Sequence, residues 1–165
     1  MLLNAATSLA APTQFQAGVQ MMRKAKAGNG LQHIFKHSNL WSSVFTGVAI
    51  IANRVTPSHR DQSGRPQWYD LLVSSGTDSQ SRLILSDIGA DIRYCPGDVC
   101  FVSGAVLQHA VLDWDEGNRL AYAQYHRANV AERMAIPAGA SPFIQDFAPM
   151  MAPDFVERHT HIYSH

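Results

Sequence analysis

Of 165 residues only two are cysteine, Cys95 and Cys100. Two thiols do not make a disulfide framework, so the fold must rest on a hydrophobic core. If the run between them is one strand, its four intervening residues set them on opposite faces. They read as two small buried hydrophobes in a chain kept in a reducing, intracellular compartment. Charge is scarce as well: 16% of residues are charged, and thirteen basic side chains balance thirteen acidic ones. That leaves no net field to draw the chain onto a phosphate backbone, although a total of zero hides how the charges are distributed. No window has the apolar length of a membrane span. The opening segment MLLNAATSLAAP lacks a basic n-region, and Asn4, Thr7 and Ser8 interrupt its apolar run, so it reads as a frayed helix or tail. There is no internal repeat.

What is present suits one domain with one core, since 46% of the chain is hydrophobic. The texture divides it into an N-terminal helical segment, 1–39, a β-rich core, 40–136, and a C-terminal extension, 137–165. In the first, Phe15, Val19 and Met22 recur at helical spacing over 12–27 until Gly28–Asn29–Gly30 stops the pattern. Residues 31–41 suit a second helix or a capped turn. Beyond Ser42 the runs VFTGVAIIANRV, WYDLLVSSG, RLILSDIGA, DVCFVSG, VLQHAVLDW and RLAYAQYH each read as a strand, the first of them buried. Turn signals separate them, among them Gly64–Pro66, Pro96–Gly97 and Asp115–Glu116–Gly117–Asn118. Short strands at this spacing make a mostly β fold, an antiparallel sandwich or barrel. The tail after Pro137 has no period and is expected to wrap the surface or to be partly disordered.

The chemistry concentrates in a few residues. His59 and Asp61 lie two apart, so on a strand or its extended end they face one side and can bind one ion together. His109 follows after 47 intervening residues, near the end of a second strand. Two imidazoles and a carboxylate make the facial triad of non-haem Fe(II) oxygenases, which leaves three coordination positions open for a ketoacid and O2. After nine intervening residues, Arg119 opens the last strand, where its planar fork suits the distal carboxylate of 2-oxoglutarate. On that strand Arg119, Ala121, Ala123 and Tyr125 share a face, and the alanines leave room for a narrow ligand. Each piece alone is weak, because a lone histidine is more often structural; the ordered set in a β-rich chain is not weak. Arg82 at a strand start is expected to be solvated, whereas Asn53 and Arg54 are candidates for the pocket wall. His126 and Arg127 face either substrate or solvent. His33 and His37 have metal spacing but no third ligand, and His159, His161 and His165 belong to the tail.

At these residues the chain resembles a known class. HRDQSGRPQWYDLLVSSG, LILSDIGADIRYCPGDVCFVSGAVLQHAV and GNRLAYAQYHRANVAERM are similar to the TET/JBP 2-oxoglutarate oxygenases, and look closest to fungal members associated with transposable elements. The resemblance covers about 40–136 and is carried by ordered motifs. It implies a double-stranded β-helix, a cupin-like jelly roll, with one or two N-terminal helices. It implies Fe(II) on His59, Asp61 and His109, 2-oxoglutarate on Arg119, and oxidation of a methyl group on a nucleobase such as 5-methylcytosine or thymine. Tyr125 falls on a position near the substrate base, and Arg60 and His126 are further substrate-binding candidates. The implied partner is DNA or RNA carrying a methylated pyrimidine, in the nucleus; nothing points to a membrane or a protein partner. Two features depart from the animal members. Gly64 stands where they carry a base-reading asparagine, and their cysteine-rich zinc-binding region is absent. Two other readings remain: the same fold acting on a protein side chain or small molecule, and a shortened inactive relative. An intact ligand set argues against the latter.

Overall fold

A computed structural model describes residues 2–27, 41–112, 114 and 116–139. The expectations for 31–40, for His33 and His37, for Asp115 and for the tail with His159, His161 and His165 lie outside the described residues. Two helices, α1 (Leu2–Ala10) and α2 (Pro12–Lys26), precede eight strands: β1 (Gly47–Ala52), β2 (Thr56–His59), β3 (Asp70–Gly76), β4 (Arg82–Leu85), β5 (Ala90–Arg93), β6 (Val99–Val102), β7 (His109–Val111) and β8 (Arg119–Tyr125). A short helix, α3 (Ala128–Arg133), follows. The strands form two four-stranded antiparallel sheets, ordered β1-β8-β3-β6 and β2-β7-β4-β5. This is the antiparallel sandwich that the strand spacing leads one to expect, arranged as the jelly roll that the family resemblance implies. No described helix is long and apolar enough to cross a membrane.

Alternation decides what each face of β3 buries. Leu71 joins Val44 and Phe45 in a cluster that also takes in Leu3, Phe15 and Val19 from the helices. Leu72, one residue on, packs with Leu83, Leu85, Tyr94, Val111 and Ala121, a cluster drawn from both sheets. The first sheet is therefore covered on both sides, by the helices and by the second sheet. Leu71 is fully buried, so its truncation to alanine should cost about 2–5 kcal/mol.

Four local readings need correction. The most buried face of α2 carries Gln14, Ala17, Gly18, Met21, Met22 and Ala25, whereas Phe15 and Val19 lie on its flank. Gln14 can be buried because its amide pairs with Tyr69 in both directions, donating to the carbonyl at 2.7 Å and accepting from the N–H at 2.8 Å. RLILSDIGA is two strands: a 3-10 turn over Ser86–Ile88 and Gly89 at φ +61° split it into β4 and β5. β1 lies at a sheet edge and exposes Ile50, so its run is only half buried. Cys95 and Cys100 sit on either side of the Pro96–Gly97 turn and are both free.

Candidate metal centre

β2 is the edge strand beside β7, and its last residue, His59, pairs directly with His109, the first residue of β7. The register shifts between Thr56 and His59, which kinks the strand end. Asp61 lies just beyond β2 and is anchored by its N–H, which donates to the Gly104 carbonyl at 2.8 Å. His59 Nε2 comes within 3.6 Å of Asp61 Oδ1, and His109 Nε2 within 3.8 Å of Asp61 Oδ2. One donor atom from each of the three residues lies within 4.8 Å of the others, close enough to share one ion.

The ring orientations suit a metal. His59 Nδ1 lies 2.8 Å from the Pro57 carbonyl and His109 Nδ1 3.0 Å from the Leu107 carbonyl. A carbonyl only accepts, so each Nδ1 donates to it and each Nε2 is left facing Asp61, the ring orientation a metal ligand requires. His109 is buried; His59 and Asp61 stay open to solvent on one side, with 42% and 43% of their side chains exposed.

Sequence reasoning misses Asp70. It opens β3 and projects to the same place as Asp61: a Cβ on Gly104 would collide with both carboxylates. Burial first, and then the charge of Asp61 and a hydrogen bond with it, push the Asp70 pKa up to about 8. The signal lies in the register: Asp70 and Leu72 point to the interior, and an inward charged residue on a strand is rare without a partner.

The cluster opens onto a cavity of about 500 Å³ between the sheets. Arg119, Ala121, Ala123 and Tyr125 all line it, as their alternation on β8 requires. Arg119 is 2% exposed, yet among the described residues it forms no ion pair. Its Nη1 donates to the Arg54 carbonyl at 2.9 Å, its Nε has no partner, and the rings of Trp114 and Tyr94 lie 5.7 and 5.9 Å from its Cζ. Burial pulls its pKa down, while Tyr94 and Asp78 oppose that shift. Asn53, held at φ +45°, accepts the Arg119 backbone N–H at 2.8 Å and so fixes where β8 begins. The cavity therefore offers donors for a cation at one place and a buried cation at another.

The other candidates separate. Arg54, Gly64, His126 and Arg127 line the cavity. Arg60 does not; its guanidinium turns outward to Asp87. Arg82 is exposed and bonded to Asp91. Arg65 pairs with Glu132 and lies over Trp68. His126 is 2% exposed, stacked on Phe45 at 5.0 Å and edge-on to Trp68 at 5.2 Å. Neither of its ring nitrogens has a partner, and burial pushes its pKa down to about 4.

The model of the Tet_JBP family, an oxygenase domain of the 2OGFeDO superfamily, matches residues 1–134. The chain belongs to the Tet_JBP family. The match takes in both N-terminal helices as well as the sheets. As a Tet_JBP oxygenase domain it is of the dioxygenase class whose cofactors are Fe(II) and 2-oxoglutarate, and the donor set fits that class: two imidazoles, one carboxylate and a buried guanidinium with a spare donor. No curated protein sequence matches the chain. Among solved structures, NgTET1 in complex with 5mC DNA aligns at 20% identity and a TM-score of 0.48, over 53% of this chain and 36% of that one. A Cupin 2 conserved barrel domain protein from Salinispora arenicola aligns at 19% identity and a TM-score of 0.37, over 58% of this chain and 76% of that one. The Tet_JBP domain described here thus spans about a third of the NgTET1 chain.

Proposed function

We propose that the chain oxidises a methyl group on a nucleobase, with His59, Asp61 and His109 as Fe(II) ligands and Arg119 as the partner of the distal carboxylate of 2-oxoglutarate. The observation that carries this reading is Arg119: a buried guanidinium with an unpartnered Nε, on the wall of the same cavity as the His59–Asp61–His109 cluster. A buried charge without a partner is costly, and a ligand carboxylate resolves it. When bound, Fe(II) and 2-oxoglutarate would supply, with O2 as the oxidant, oxidative decarboxylation to succinate and CO2, one oxygen atom of O2 entering succinate and the other a substrate C–H bond.

The chain's own work is positioning and exclusion of water. The Nδ1 hydrogen bonds to Pro57 and Leu107 fix both imidazoles. Asp70 is hydrogen-bonded to Asp61 and supports it from behind. Ala121 and Ala123 leave a lane along β8 to the ligand cluster. Tyr125 and the exposed Arg127, whose Cζ lies 5.0 Å from the Tyr125 ring, offer a surface for a planar base. Gly64 has no side chain with which to read that base, and Arg127, Gln62, Ser63 and His126 are among the hydrogen-bonding groups on the cavity wall.

A methyl group within a duplex lies out of reach of such a cavity, so the base must be flipped out or unpaired. A small chain of zero net charge grips a duplex poorly, which favours single-stranded or distorted DNA or RNA. We further propose, on the resemblance of the HRDQSGRPQWYDLLVSSG, LILSDIGADIRYCPGDVCFVSGAVLQHAV and GNRLAYAQYHRANVAERM runs, that the chain is allied to fungal, transposon-associated members of the family and acts in the nucleus. The test is mass spectrometry of methylated DNA and RNA oligonucleotides incubated with protein, Fe(II), 2-oxoglutarate and ascorbate. Oxidised methylpyrimidine, favoured on single strands, is expected. Its absence, with 2-oxoglutarate consumed in the presence of a peptide or metabolite, would move the substrate to a protein side chain or small molecule.

A further inference from the structure

Arg60 sits between two of the proposed ligands, yet its side chain leaves the cavity. Its Nε donates to the Val106 carbonyl at 2.9 Å, and its Nη2 donates to both oxygens of Asp87 at 2.9 and 3.0 Å. Asp87 lies in the 3-10 turn between β4 and β5, and its Oδ2 also accepts the Gln108 N–H at 2.6 Å. The Ser86 N–H closes the ring onto the Gln108 carbonyl at 3.2 Å. Two side chains thereby tie three segments together: the end of β2 with His59 and Asp61, the turn that delivers His109, and the β4–β5 turn.

The ladder alone would hold these segments loosely. β2 is an edge strand whose pairing with β7 is registered only at Thr56 with Val111 and at His59 with His109, with the shift between them. Arg60 and Asp87 are half exposed, at 50% and 31% of their side chains, and such pairs add little to global stability. Their value is local. Hydrogen bonds behind the ligands typically change metal affinity by about 10–100-fold.

We propose that Arg60 and Asp87 form a clasp that positions the His59–Asp61 and His109 segments for metal binding, so that Arg60 is a positioning residue and not a substrate contact. This rests on the assignment of His59, Asp61 and His109 as metal ligands. The Gln108 N–H and Arg60 also hold the Asp87 carboxyl below its ordinary pKa, as expected of a carboxylate that stays ionised in the clasp.

The test is anaerobic titration of the full chain with Fe(II), and with Co(II) as an optical probe of coordination, alongside thermal midpoints. Wild type is expected to bind one ion. Arg60→Met and Asp87→Asn should each bind about 10-fold more weakly or worse with nearly unchanged thermal midpoints. The double variant should be no weaker than the poorer single variant, because both changes open one clasp. Arg82→Met, which breaks the Arg82–Asp91 pair on the same sheet, should bind as wild type. Should Arg60→Met fail to fold, Asp87→Asn decides alone, since asparagine still accepts the Gln108 N–H. Wild-type affinity and an unchanged Co(II) spectrum in a folded Arg60→Met or Asp87→Asn would overturn the clasp while leaving the ligand assignment intact. Wild type that binds no metal, or His109→Ala that binds equally well, would instead overturn the ligand assignment, and the clasp with it.

Discussion

His59 and His109 face each other across the β2–β7 ladder, their ring centroids 4.3 Å apart and their planes at 49°. Each ring is turned by a backbone carbonyl two residues upstream. The pairing register, not a flexible loop, thus sets the spacing of the two imidazoles, and the third donor, Asp61, reaches between them from the turn that Gly104 holds.

Gly104 is the most economical place to disturb that geometry. Its missing side chain is the space that the Asp61 and Asp70 carboxylates occupy. Gly104→Ala should keep the circular dichroism of the fold and weaken Fe(II) binding by at least about 10-fold, on the scale of other changes behind metal ligands. Equal affinity in the two proteins would show that the carboxylates need not lie where they do.

Arg119→Lys keeps the charge and loses the planar fork. Charge-assisted hydrogen bonds contribute about 1.5–3 kcal/mol each, so loss of one should raise the KM for 2-oxoglutarate about 10–100-fold. Unchanged saturation would move the cosubstrate to Arg54 or Arg127, the other arginines on the cavity wall.

His126 makes the fold sensitive to acid. Its pKa is about 4 when folded and about 6.5 when unfolded. Below pH 6.5 the unfolded chain takes up a proton that the folded chain refuses. The contribution of His126 to stability therefore falls as pH drops from about 6.5 to about 4, by a total on the order of 3 kcal/mol, and does not change further below that window. His126→Phe keeps a ring for Phe45 and Trp68 and should flatten this part of the curve of urea midpoint against pH. Asp70, with its raised pKa, titrates over the same window with the opposite sign in both proteins, so identical curves for wild type and His126→Phe between pH 7 and 4.5 would contradict the burial of a neutral imidazole.

Tyr125→Ala should slow oxidation of a methylated oligonucleotide more than it slows substrate-uncoupled turnover of 2-oxoglutarate. The ring lies at the far end of the β8 face from Arg119. Its loss removes a surface worth about 1–3 kcal/mol for a stacked base and leaves the cosubstrate's partner in place. Parallel losses of both activities would assign Tyr125 to the fold.

What could be read in the sequence was periodic or ordered. The alternation of Arg119, Ala121, Ala123 and Tyr125 fixes a shared face without knowledge of any neighbour, and the two-residue step from His59 to Asp61 does nearly the same. Gln14, Asp70 and His126 were not legible, because their surroundings come from distant parts of the chain: Tyr69 for Gln14, Asp61 and Gly104 for Asp70, Phe45 and Trp68 for His126. The break between β4 and β5 hides for another reason. Ser86–Asp87–Ile88 lies between two apolar runs with no proline to mark a break, and the turn shows only in its 3-10 geometry and in the positive φ of Gly89.

The most direct test of the account is the anaerobic stoichiometry of Fe(II) binding, with succinate formed on admission of O2 and 2-oxoglutarate, in wild type and in His59→Ala, Asp61→Ala and His109→Ala. The account predicts one tightly bound Fe(II) and succinate production in wild type, with both lost in each of the three folded variants. Full Fe(II) binding and undiminished succinate production in His109→Ala would contradict it.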